Sequence, residues 1–444
     1  MNSKIDFING QTSKSLAKMF LPLMAAMTLM MIYNMVDSLW VGNLLGERGM
    51  SALTAGTAIV LIMNSLAMGV GNGISVMISR LVGAKDKEHL AKAIATVVAV
   101  SGIMSIILFI IGELSVVPVL NIMGIHKEIF EEAALYLKIY LAGNAALFMY
   151  MQFTSVFRAF GDPTFQMKGM LLTSIFNAVA DPFFIKLWGL AGAAAVTVAA
   201  EVLCLVYAIF YYRKRKMFSI DFGKTNGSDA KEMLRLCAPT TIQAIMPPIS
   251  SAVMVSFVTS FGLTAMAGFG VARNLELIMF MPTSGMCMAV TTIVGQCVGA
   301  GRHDRAKDYL VASMKIGGCM IAVLSGLVIV FAPQLTGVFG QGAETAEVVA
   351  AFFKILSIGY VLYMLTSCMQ GYITGSGKPE KAMILLVLYY IVFRIPAAAF
   401  LKGACGLKGI WLAFLVSHIL ALITAIIMTA RSQRKETIHD NTVF

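Results

Sequence analysis

Residues 16–41 read LAKMFLPLMAAMTLMMIYNMVDSLWV, a run in which only Lys18 and Asp37 carry a charge. One helical crossing of a bilayer needs about 20 consecutive apolar residues. Every backbone polar group in lipid has to be hydrogen-bonded within the protein, so a run of this kind folds as a helix. This stretch therefore predicts a membrane-spanning helix near the start of the chain.

The same kind of apolar run recurs along the whole chain of 444 residues. Hydrophobic residues make up 58% of the sequence and charged residues only 13%, whereas a soluble domain is about 25% charged. This composition excludes a soluble enzyme, a disordered chain and a secreted disulfide scaffold. It predicts an all-α polytopic membrane protein with twelve transmembrane helices, at 16–41, 52–78, 91–112, 131–157, 167–186, 190–212, 234–260, 264–294, 309–332, 348–374, 381–401 and 407–430.

The positive charges are unevenly distributed over the predicted loops. Most of the 34 Lys and Arg residues lie in the N-terminal segment, the C-terminal tail and the loops on that same side. Cytoplasmic loops carry such an excess, so both termini are predicted to be cytoplasmic, in the plasma (inner) membrane. The densest group, Arg213-Lys-Arg-Lys216, predicts contact with lipid headgroups, with a site for a regulatory partner as the alternative. The net charge of +11 therefore indicates a bilayer partner and no nucleic acid.

The two halves of the chain repeat each other at a nearly constant distance along the sequence. One set of motifs recurs at a constant separation along the sequence, which we call the short shift. Gly83-Ala84 recurs as Gly299-Ala300, and Gly161-x-Pro163 recurs as Gly377-x-Pro379. Another set recurs at a separation that is one residue greater, which we call the long shift. Pro22 recurs as Pro239, and Gly189-Leu-x-Gly192 recurs as Gly406-Leu-x-Gly409. Six helices per copy is an even number, so both copies have the same orientation. We expect two six-helix lobes related by internal duplication: an N-lobe at 1–212, a cytoplasmic linker at 213–233 and a C-lobe at 234–444.

Two parallel lobes suit alternating access, in which the cleft between them opens to one side of the membrane at a time. The nearest sequence to a nucleotide-binding Walker A motif is Gly375-Ser-Gly-Lys378, and its spacing is different. The chain is therefore predicted to be a transporter driven by an ion gradient, and not an enzyme. No cofactor is expected, and a monomer suffices because one chain forms the cleft.

Polar side chains interrupt three apolar segments of the N-lobe. Asp37 lies in helix 1, Asn177 and Asp181 are four residues apart in helix 5, and Thr197 lies one turn before Glu201 in helix 6. A charge inside a membrane is costly and marks a functional site. These oxygen ligands suit a hard cation such as Na⁺, and two close carboxylates share one proton, so Na⁺ or H⁺ is the predicted coupling ion. A purely structural polar network is the alternative.

The C-lobe contains a different set of charges. Arg273 and Glu276 are three residues apart and predict an ion pair, Arg394 has no acid nearby in its helix, and His418 takes the place of Glu201 in the repeat. Aromatic and Met side chains adapt to organic cations, so polar and aromatic positions near mid-helix are candidates for a substrate cavity. They are Tyr33, Asn34, Gln152, Gln243, Met246, Arg273, Glu276, Tyr363 and Arg394. The roles of Glu201, Glu276 and His418 stay open.

Several ordered motifs resemble those of the multidrug and toxic compound extrusion (MATE) family. They are Tyr33-Asn-Met-Val-Asp37-Ser-Leu-Trp-Val-Gly42, Ile78-Ser-Arg-Leu-Val-Gly83-Ala-Lys-Asp86 and its copy Val294-Gly-Gln-Cys-Val-Gly299-Ala-Gly-Arg302, Arg158-Ala-Phe-Gly-Asp-Pro163, and Gly189-Leu-Ala-Gly-Ala-Ala. Together they cover nearly the whole chain. The resemblance implies twelve helices in two lobes and export of small organic, often cationic, compounds in exchange for Na⁺ or H⁺.

The resemblance also implies a cation site. Relatives with an N-lobe site use an Asp in helix 1, an Asn and an Asp in helix 5 and a Thr in helix 6, which correspond by resemblance to Asp37, Asn177, Asp181 and Thr197. Other relatives rely on acids in helices 7 and 10, but the corresponding segments here, 234–260 and 348–374, contain no acid. Pro22 removes a backbone hydrogen bond from helix 1 and is the expected hinge.

Two alternatives are left open. A flippase for a lipid-linked sugar or another anionic lipid needs a cationic cavity, for which Arg273 and Arg394 are candidates. A receptor or scaffold that transports nothing accounts poorly for the duplication and for the acids inside the membrane.

Overall fold

The computed structural model describes residues 4–122, 124–125, 127–338 and 342–442, and its regular structure over these residues is helical without strands. This described part contains eleven α-helices, a 3₁₀ turn at Phe222–Lys224 and a π-helical turn at Leu388–Phe393. The α-helices are α1 (Thr12–Ala84), α2 (Lys87–Ile122), α3 (Lys127–Ala159), α4 (Thr164–Trp188), α5 (Leu190–Arg215), α6 (Gly227–Thr259), α7 (Leu263–Gly299), α8 (His303–Val338), α9 (Ala343–Gly375), α10 (Pro379–Val387) and α11 (Arg394–Thr442).

Most of these helices are built to cross a membrane. In the described residues, ten helical stretches are long and apolar enough to do so. At 73 residues α1 is far longer than one crossing of about 20 residues, and α11 has 49 residues. Each contains one non-helical glycine, Gly46 in α1 and Gly406 in α11. The predicted all-helical membrane fold is therefore confirmed, with two long helices that bend at glycine.

The backbone bends recur at the shifts found in the sequence. Gly189 between α4 and α5 has φ 61° and ψ −141°, and Gly406, its counterpart at the long shift, has φ 59° and ψ −140°. Gly46 and Gly262, which are related by the short shift, also have positive φ. Residues with a Cβ are strained in this conformation, which explains the glycines at the repeated bends. The two halves of the chain thus share one backbone plan.

Between Pro163 and Gly189 the first copy is one residue shorter than the corresponding part of the second copy. The short shift relates Pro163 to Pro379, the long shift relates Gly189 to Gly406, and the π-helical turn Leu388–Phe393 lies between these landmarks in the second copy. The i→i+5 bonds of a π turn enclose one residue more than the bonds of an α-helix. The Ser250 hydroxyl donates a hydrogen bond to a carbonyl of this turn, at Tyr390 (3.1 Å). The turn therefore accommodates the extra residue without ending the helix.

The chain divides into two compact units. The first unit comprises Met1–Ile5 and Ala25–Thr241, and the second comprises Asp6–Met24 and Ile242–Phe444. In the first unit α3 packs against α2 and α5, and α4 packs against α5; in the second, α9 packs against α7, α8 and α11. The limits of the predicted lobes, at 1–212, 213–233 and 234–444, stay a prediction about the duplicated halves.

Candidate functional site

An acidic site lies inside the first unit, where α1, α4 and α5 each contribute two polar side chains. These pairs are Tyr33 with Asp37, Asn177 with Asp181, and Thr197 with Glu201. The members of each pair are four residues apart and therefore face the same side of their helix. Asn177 and Asp181 are completely buried, and Thr197 and Glu201 are buried as well. We call this set the acidic cluster; it contains all four residues of the predicted cation site.

The Tyr33 hydroxyl connects the three helices. It donates a hydrogen bond to Thr197 Oγ1 (3.2 Å) and accepts one from Asn177 Nδ2 (3.5 Å). The same Asn177 amide group donates to Asp181 Oδ1 (3.1 Å). Tyr33 was a candidate for the substrate cavity, and the structure places it at the centre of the hydrogen-bond network of the acidic cluster.

Several oxygen atoms of the acidic cluster are buried and accept no hydrogen bond within the described structure. They are Asp37 Oδ1, Asn177 Oδ1, Asp181 Oδ2 and Glu201 Oε2. Each unpaired buried acceptor costs about 1–3 kcal/mol, and more when it is charged. A bound proton or a cation with oxygen ligands removes this cost. The cluster therefore has the chemistry of a site for a small positive ion.

The donor set fits a hard cation such as Na⁺ better than a soft transition metal. Carboxylate, amide and hydroxyl oxygens are hard ligands, and the cluster offers all three types through Asp37, Asn177, Asp181 and Thr197. Over the described ranges, no group of three or more His, Cys, Asp and Glu side chains is placed to hold a metal ion. The fit to Na⁺ thus depends on the amide and the hydroxyl as much as on the acids.

Two further tyrosines surround the acids. Asp37 and Asp181 are close enough to repel each other, and Tyr136 interacts with both and with Glu201. Tyr140 stacks on Tyr136 with ring centroids 6.2 Å apart and also interacts with Glu201. Sequence reasoning missed these two residues because tyrosines in an apolar segment look like ordinary packing. Their spacing of four residues on one face of α3 is the signal that points to them.

A glycine of α3 makes room for Glu201. A Cβ atom at Gly143 would lie 2.4 Å from Glu201 Oε2 and 2.8 Å from a methyl group of Val198. Such a distance is far inside van der Waals contact, so a side chain here would displace the carboxylate. The position of Glu201 in the acidic cluster therefore depends on the missing side chain at Gly143.

The predicted hinge lies within a continuous stretch of helix. Pro22 has no N–H and leaves the carbonyl of Lys18 without its helical partner, but α1 remains helical at this point. The chain passes from the second unit to the first between Met24 and Ala25, two residues after this proline. Bending at Pro22 stays a prediction.

The second unit contains the predicted ion pair of α7 and a buried histidine. Arg273 pairs with Glu276, so the charge of this acid is neutralised one turn away. His418 Nδ1 shares a hydrogen bond of 2.5 Å with the Tyr389 hydroxyl. His418 Nε2 is buried without a hydrogen-bond partner in the described structure.

Arg394 is held by aromatic rings. Its Nε donates a hydrogen bond to Ser417 Oγ (3.0 Å). The guanidinium lies 4.8 Å from the ring centroids of Tyr389 and Tyr390 and 4.5 Å from that of Phe414. Aromatic faces attract a cation strongly once water is excluded. Arg394 is therefore a buried cation whose partners are π-electron faces, and we call this arrangement the arginine cage.

Three candidates for the substrate cavity come together in the second unit. Met246 and Tyr363 pack against the cluster that contains Tyr389 and Tyr390, the same rings that contact Arg394. The ring of Tyr363 also stacks on that of Phe280, with centroids 5.7 Å apart. An aromatic surface with a cation beside it is thus present in this unit, and its role in substrate binding stays a prediction.

The remaining candidates lie elsewhere. Asn34 is exposed and donates only to the Met30 carbonyl of its own helix. The Gln152 amide group donates to the carbonyls of Phe148 and Ala67 and is buried. Gln243 is also buried; it donates to the Pro379 carbonyl and accepts from Gln370 and Thr374. Both glutamines are thus engaged within their own unit, and their predicted place in a cavity stays untested.

A bundle of apolar helices with acids, amides and hydroxyls buried between them defines a multi-pass membrane transporter that is coupled to an ion. The chain belongs to the MatE family, whose model matches residues 22–183 and again residues 239–400. The starts of the two matches are related by the long shift, the one that relates Gly189 to Gly406. This double match supports the predicted repeat, and the family resemblance of the sequence is confirmed.

Relatives of similar length share this fold and family. The chain is 24% identical to the probable multidrug resistance protein YoeA of Bacillus subtilis (strain 168), over 92% of each chain. It is 23% identical to the multidrug export protein MepA of Staphylococcus aureus (strain MRSA252), over 95% of this chain and 94% of that one. A solved structure of a multidrug resistance MATE family transporter of the MOP superfamily, in an outward-facing conformation, has a TM-score of 0.93 at 23% identity, over 98% of this chain and 99% of that one.

Proposed function

We propose that the chain is a secondary active exporter of organic, often cationic and amphiphilic compounds, which it exchanges for Na⁺ or H⁺. The observation that carries this proposal is the set of unpaired buried oxygen atoms on Asp37, Asn177, Asp181 and Glu201. Membership of the MatE family and the names of the multidrug relatives support the class of substrate.

The proposed architecture has twelve crossings. Gly46 and Gly406 would each divide one long helix into two, which turns the ten apolar stretches into twelve, six in each half of the chain. An even number of crossings puts both termini on one side, and the excess of Lys and Arg favours the cytoplasm. A monomer in the plasma (inner) membrane is sufficient for this arrangement.

In the proposed cycle an ion arriving from outside binds between Asp37 and Asp181. Its charge removes the repulsion between the two carboxylates and changes the hydrogen bonding through Tyr33. Helix α1 then bends near Pro22, and the substrate leaves outward. Coupling requires only that ion and substrate each weaken the binding of the other. One positive charge moving inward at −100 mV contributes about 2.3 kcal/mol from the membrane potential.

The flippase alternative is not favoured. The relatives reported above are named as multidrug resistance or export proteins. Of the two arginines that gave this alternative its support, Arg273 is neutralised by Glu276 and Arg394 is enclosed by aromatic rings. The receptor or scaffold alternative leaves the unpaired acceptors of the acidic cluster unexplained.

The deciding experiment measures efflux of a fluorescent organic cation such as ethidium from proteoliposomes that contain the purified protein. A Na⁺ gradient and a pH gradient are imposed separately, each with the unaltered protein and with Asp37→Asn. We expect one gradient to drive efflux in the unaltered protein, which identifies the ion, and neither to drive it in the variant. Equal efflux by both proteins would refute the coupling role, and no efflux under either gradient would refute this class of substrate.

A further inference from the structure

A pocket of about 650 Å³ lies at the end of α5, where the chain leaves the last turn of this helix. It is lined by Tyr212, Arg213, Lys216, Met217, Phe218 and Ser219. All six residues belong to the first unit. The acidic cluster does not use this pocket. The sequence predicts that Arg213–Lys216 contact lipid headgroups, but it does not predict a pocket beside them.

The walls of the pocket are fixed by hydrogen bonds and ring contacts. Lys216 ends α5 in the left-handed conformation, with its N–H donating to the Tyr212 carbonyl. The Ile220 N–H donates to the Tyr212 hydroxyl (3.1 Å), which turns the chain back over the helix end. Phe218 is buried and stacks on Phe160 with ring centroids 5.6 Å apart. The pocket is therefore a built feature and not a gap between loose loops.

The charge of this region is unbalanced. Arg213, Lys214, Arg215 and Lys216 are all exposed, and no acid occurs in residues 202–220. In the part of the chain that the structure describes, none of the four forms an ion pair. Arg213 and Lys216 line the pocket itself. Two cations without an ion-pair partner in the described residues, beside an open pocket, are suited to an anion with several oxygen atoms, such as a phosphate group.

An exposed apolar track runs along α5 up to this pocket. Val202, Val206, Ile209 and Phe210 are all exposed, and their spacing of three and four residues places them on one face. Arg213 continues this face, because it lies four residues after Ile209 and three after Phe210. With 26 residues α5 extends about 39 Å, so its apolar track lies in the hydrocarbon and its basic end lies at the headgroups.

We propose that this pocket binds the phosphodiester headgroup of an anionic phospholipid, with Arg213 and Lys216 as the phosphate-binding side chains. The guanidinium of Arg213 can donate two parallel hydrogen bonds to the phosphate, and Lys216 contributes a second positive charge. Tyr212, Met217 and Phe218 form the apolar wall for the glycerol part, and the acyl chains lie along the exposed face of α5. The apolar track is what distinguishes a lipid from a free phosphate ion as the occupant.

The test is binding of dioleoylphosphatidylglycerol to the purified full-length protein in detergent, measured by native mass spectrometry. The pocket variant is Arg213→Gln with Lys216→Gln. The control variant, Lys85→Gln with Lys87→Gln, removes the same charge from two exposed positions outside the pocket. We expect the affinity for phosphatidylglycerol to fall about tenfold in the pocket variant and to be nearly unchanged in the control. An equal loss in both variants would overturn the proposal.

Two further arms separate the possible occupants. Phosphatidylethanolamine, whose headgroup carries its own ammonium, should bind the unaltered protein about tenfold more weakly than phosphatidylglycerol. Soluble glycerophosphoglycerol, which has the same headgroup without acyl chains, should not compete. Competition by the soluble headgroup would identify a phosphate site without a lipid, and equal binding of the two lipids would identify a hydrophobic surface without headgroup selection; either result refutes the proposed site. A thermal melt of each variant checks that folding is retained.

Discussion

The acidic cluster of the first unit and the arginine cage of the second occupy corresponding places in the two repeats. At the long shift, which relates Gly189 to Gly406, three residues of the acidic cluster have counterparts around the cage: Asn177 with Arg394, Thr197 with Phe414, and Glu201 with His418. In the first unit these positions provide oxygen atoms without a positive partner. In the second, a guanidinium attached to the chain lies 4.5 Å over the Phe414 ring.

This difference shows two solutions to a charge inside a membrane. The second unit contains its cation permanently and surrounds it with aromatic faces, so that its stability needs no added ion. The first unit has acceptors without a partner in the described structure, so that a proton or cation bound there would stabilise it. Corresponding positions of the two units thus differ in whether the positive charge belongs to the chain itself.

The largest effect should come from Asp181→Asn, which removes a carboxylate from the acidic cluster. We expect ion-driven efflux in proteoliposomes to fall to the level of liposomes without protein, because Asp37 loses the carboxylate with which it is proposed to bind and release the ion. Glu232→Gln is the control, since it removes a carboxylate from an exposed position outside the acidic cluster. Efflux that survives in Asp181→Asn would place the coupling ion elsewhere.

The next effect should come from Arg394→Gln in the arginine cage. We expect it to lower the free energy of unfolding by about 2–4 kcal/mol, because it removes a buried cation from three aromatic faces and from Ser417. The control is Arg48→Gln, whose ion pair with Glu132 is exposed and contributes less than about 1 kcal/mol. Thermal unfolding with and without Na⁺ measures both variants. An equal decrease in the free energy of unfolding of the two variants would mean that the arginine cage does not stabilise the protein more than an exposed ion pair does.

A smaller effect is expected outside the membrane, at another position where an acid of the first half corresponds to a basic residue of the second. Asp162, between α3 and α4, corresponds to Lys378 at the short shift. The Asp162 carboxylate accepts hydrogen bonds from Lys4 (2.8 Å), Thr164 (2.6 Å) and Tyr211 (2.7 Å). We expect Asp162→Asn to cost about 2 kcal/mol of stability at neutral pH, measured by thermal unfolding, because it removes a charge-assisted hydrogen bond.

The stability lost in Asp162→Asn is expected to depend on pH. Burial raises the pKa of the Asp162 carboxyl, but the hydrogen bonds from Lys4, Thr164 and Tyr211 outweigh burial and leave the pKa below its usual value of 3.8. A lowered pKa means that the stabilisation is fully present above pH 3.8 and is lost as the pH falls through the folded-state value. The unaltered protein and Asp162→Asn should therefore converge in acid. A difference that persists there would point to packing and not to charge.

The smallest effect should come from Gly143→Ala in α3. The added methyl group overlaps Glu201 Oε2, so the carboxylate has to move within the acidic cluster. We expect the ion concentration for half-maximal efflux to change by only a few-fold, because Glu201 is displaced but every side chain of the acidic cluster is kept. Gly102→Ala, where an added Cβ meets nothing within 4 Å, is the control. An unchanged ion dependence would remove Glu201 from the site.

The sequence is most informative where a polar residue interrupts an apolar run. Asp37, Asn177 and Asp181 are conspicuous in such runs, and helical spacing alone placed the last two on one face. It could not show Tyr136, because a tyrosine in an apolar helix is usually only packed. Gln243 is a different case. Its side chain donates to the Pro379 carbonyl and accepts from Gln370 and Thr374, and its predicted place near a cavity stays a prediction. The sequence cannot show such hydrogen bonds, because the partner residues are far apart along the chain.

The ends of the helices could not be predicted from hydropathy alone. Apolar segments at 16–41 and 52–78 suggested two helices with a loop between them, but α1 continues through this region with a bend at Gly46. The intervening residues include Asn43, Glu47 and Arg48, and polar side chains of this kind do not prevent helical hydrogen bonds of the backbone. Hydropathy therefore reports the part of a helix that lies in lipid and not the point at which its backbone ends.

The π-helical turn at Leu388–Phe393 has a consequence for anyone who exchanges parts between the two halves. The turn takes up one extra residue, so that the side chains on either side of it keep their orientation around the helix axis. Without it, every later residue would be rotated by about 100°, and Phe393 would take the orientation that Arg394 has now. A chimera that places the acidic cluster in the second half therefore has to shift the alignment of the two halves by one residue within this turn.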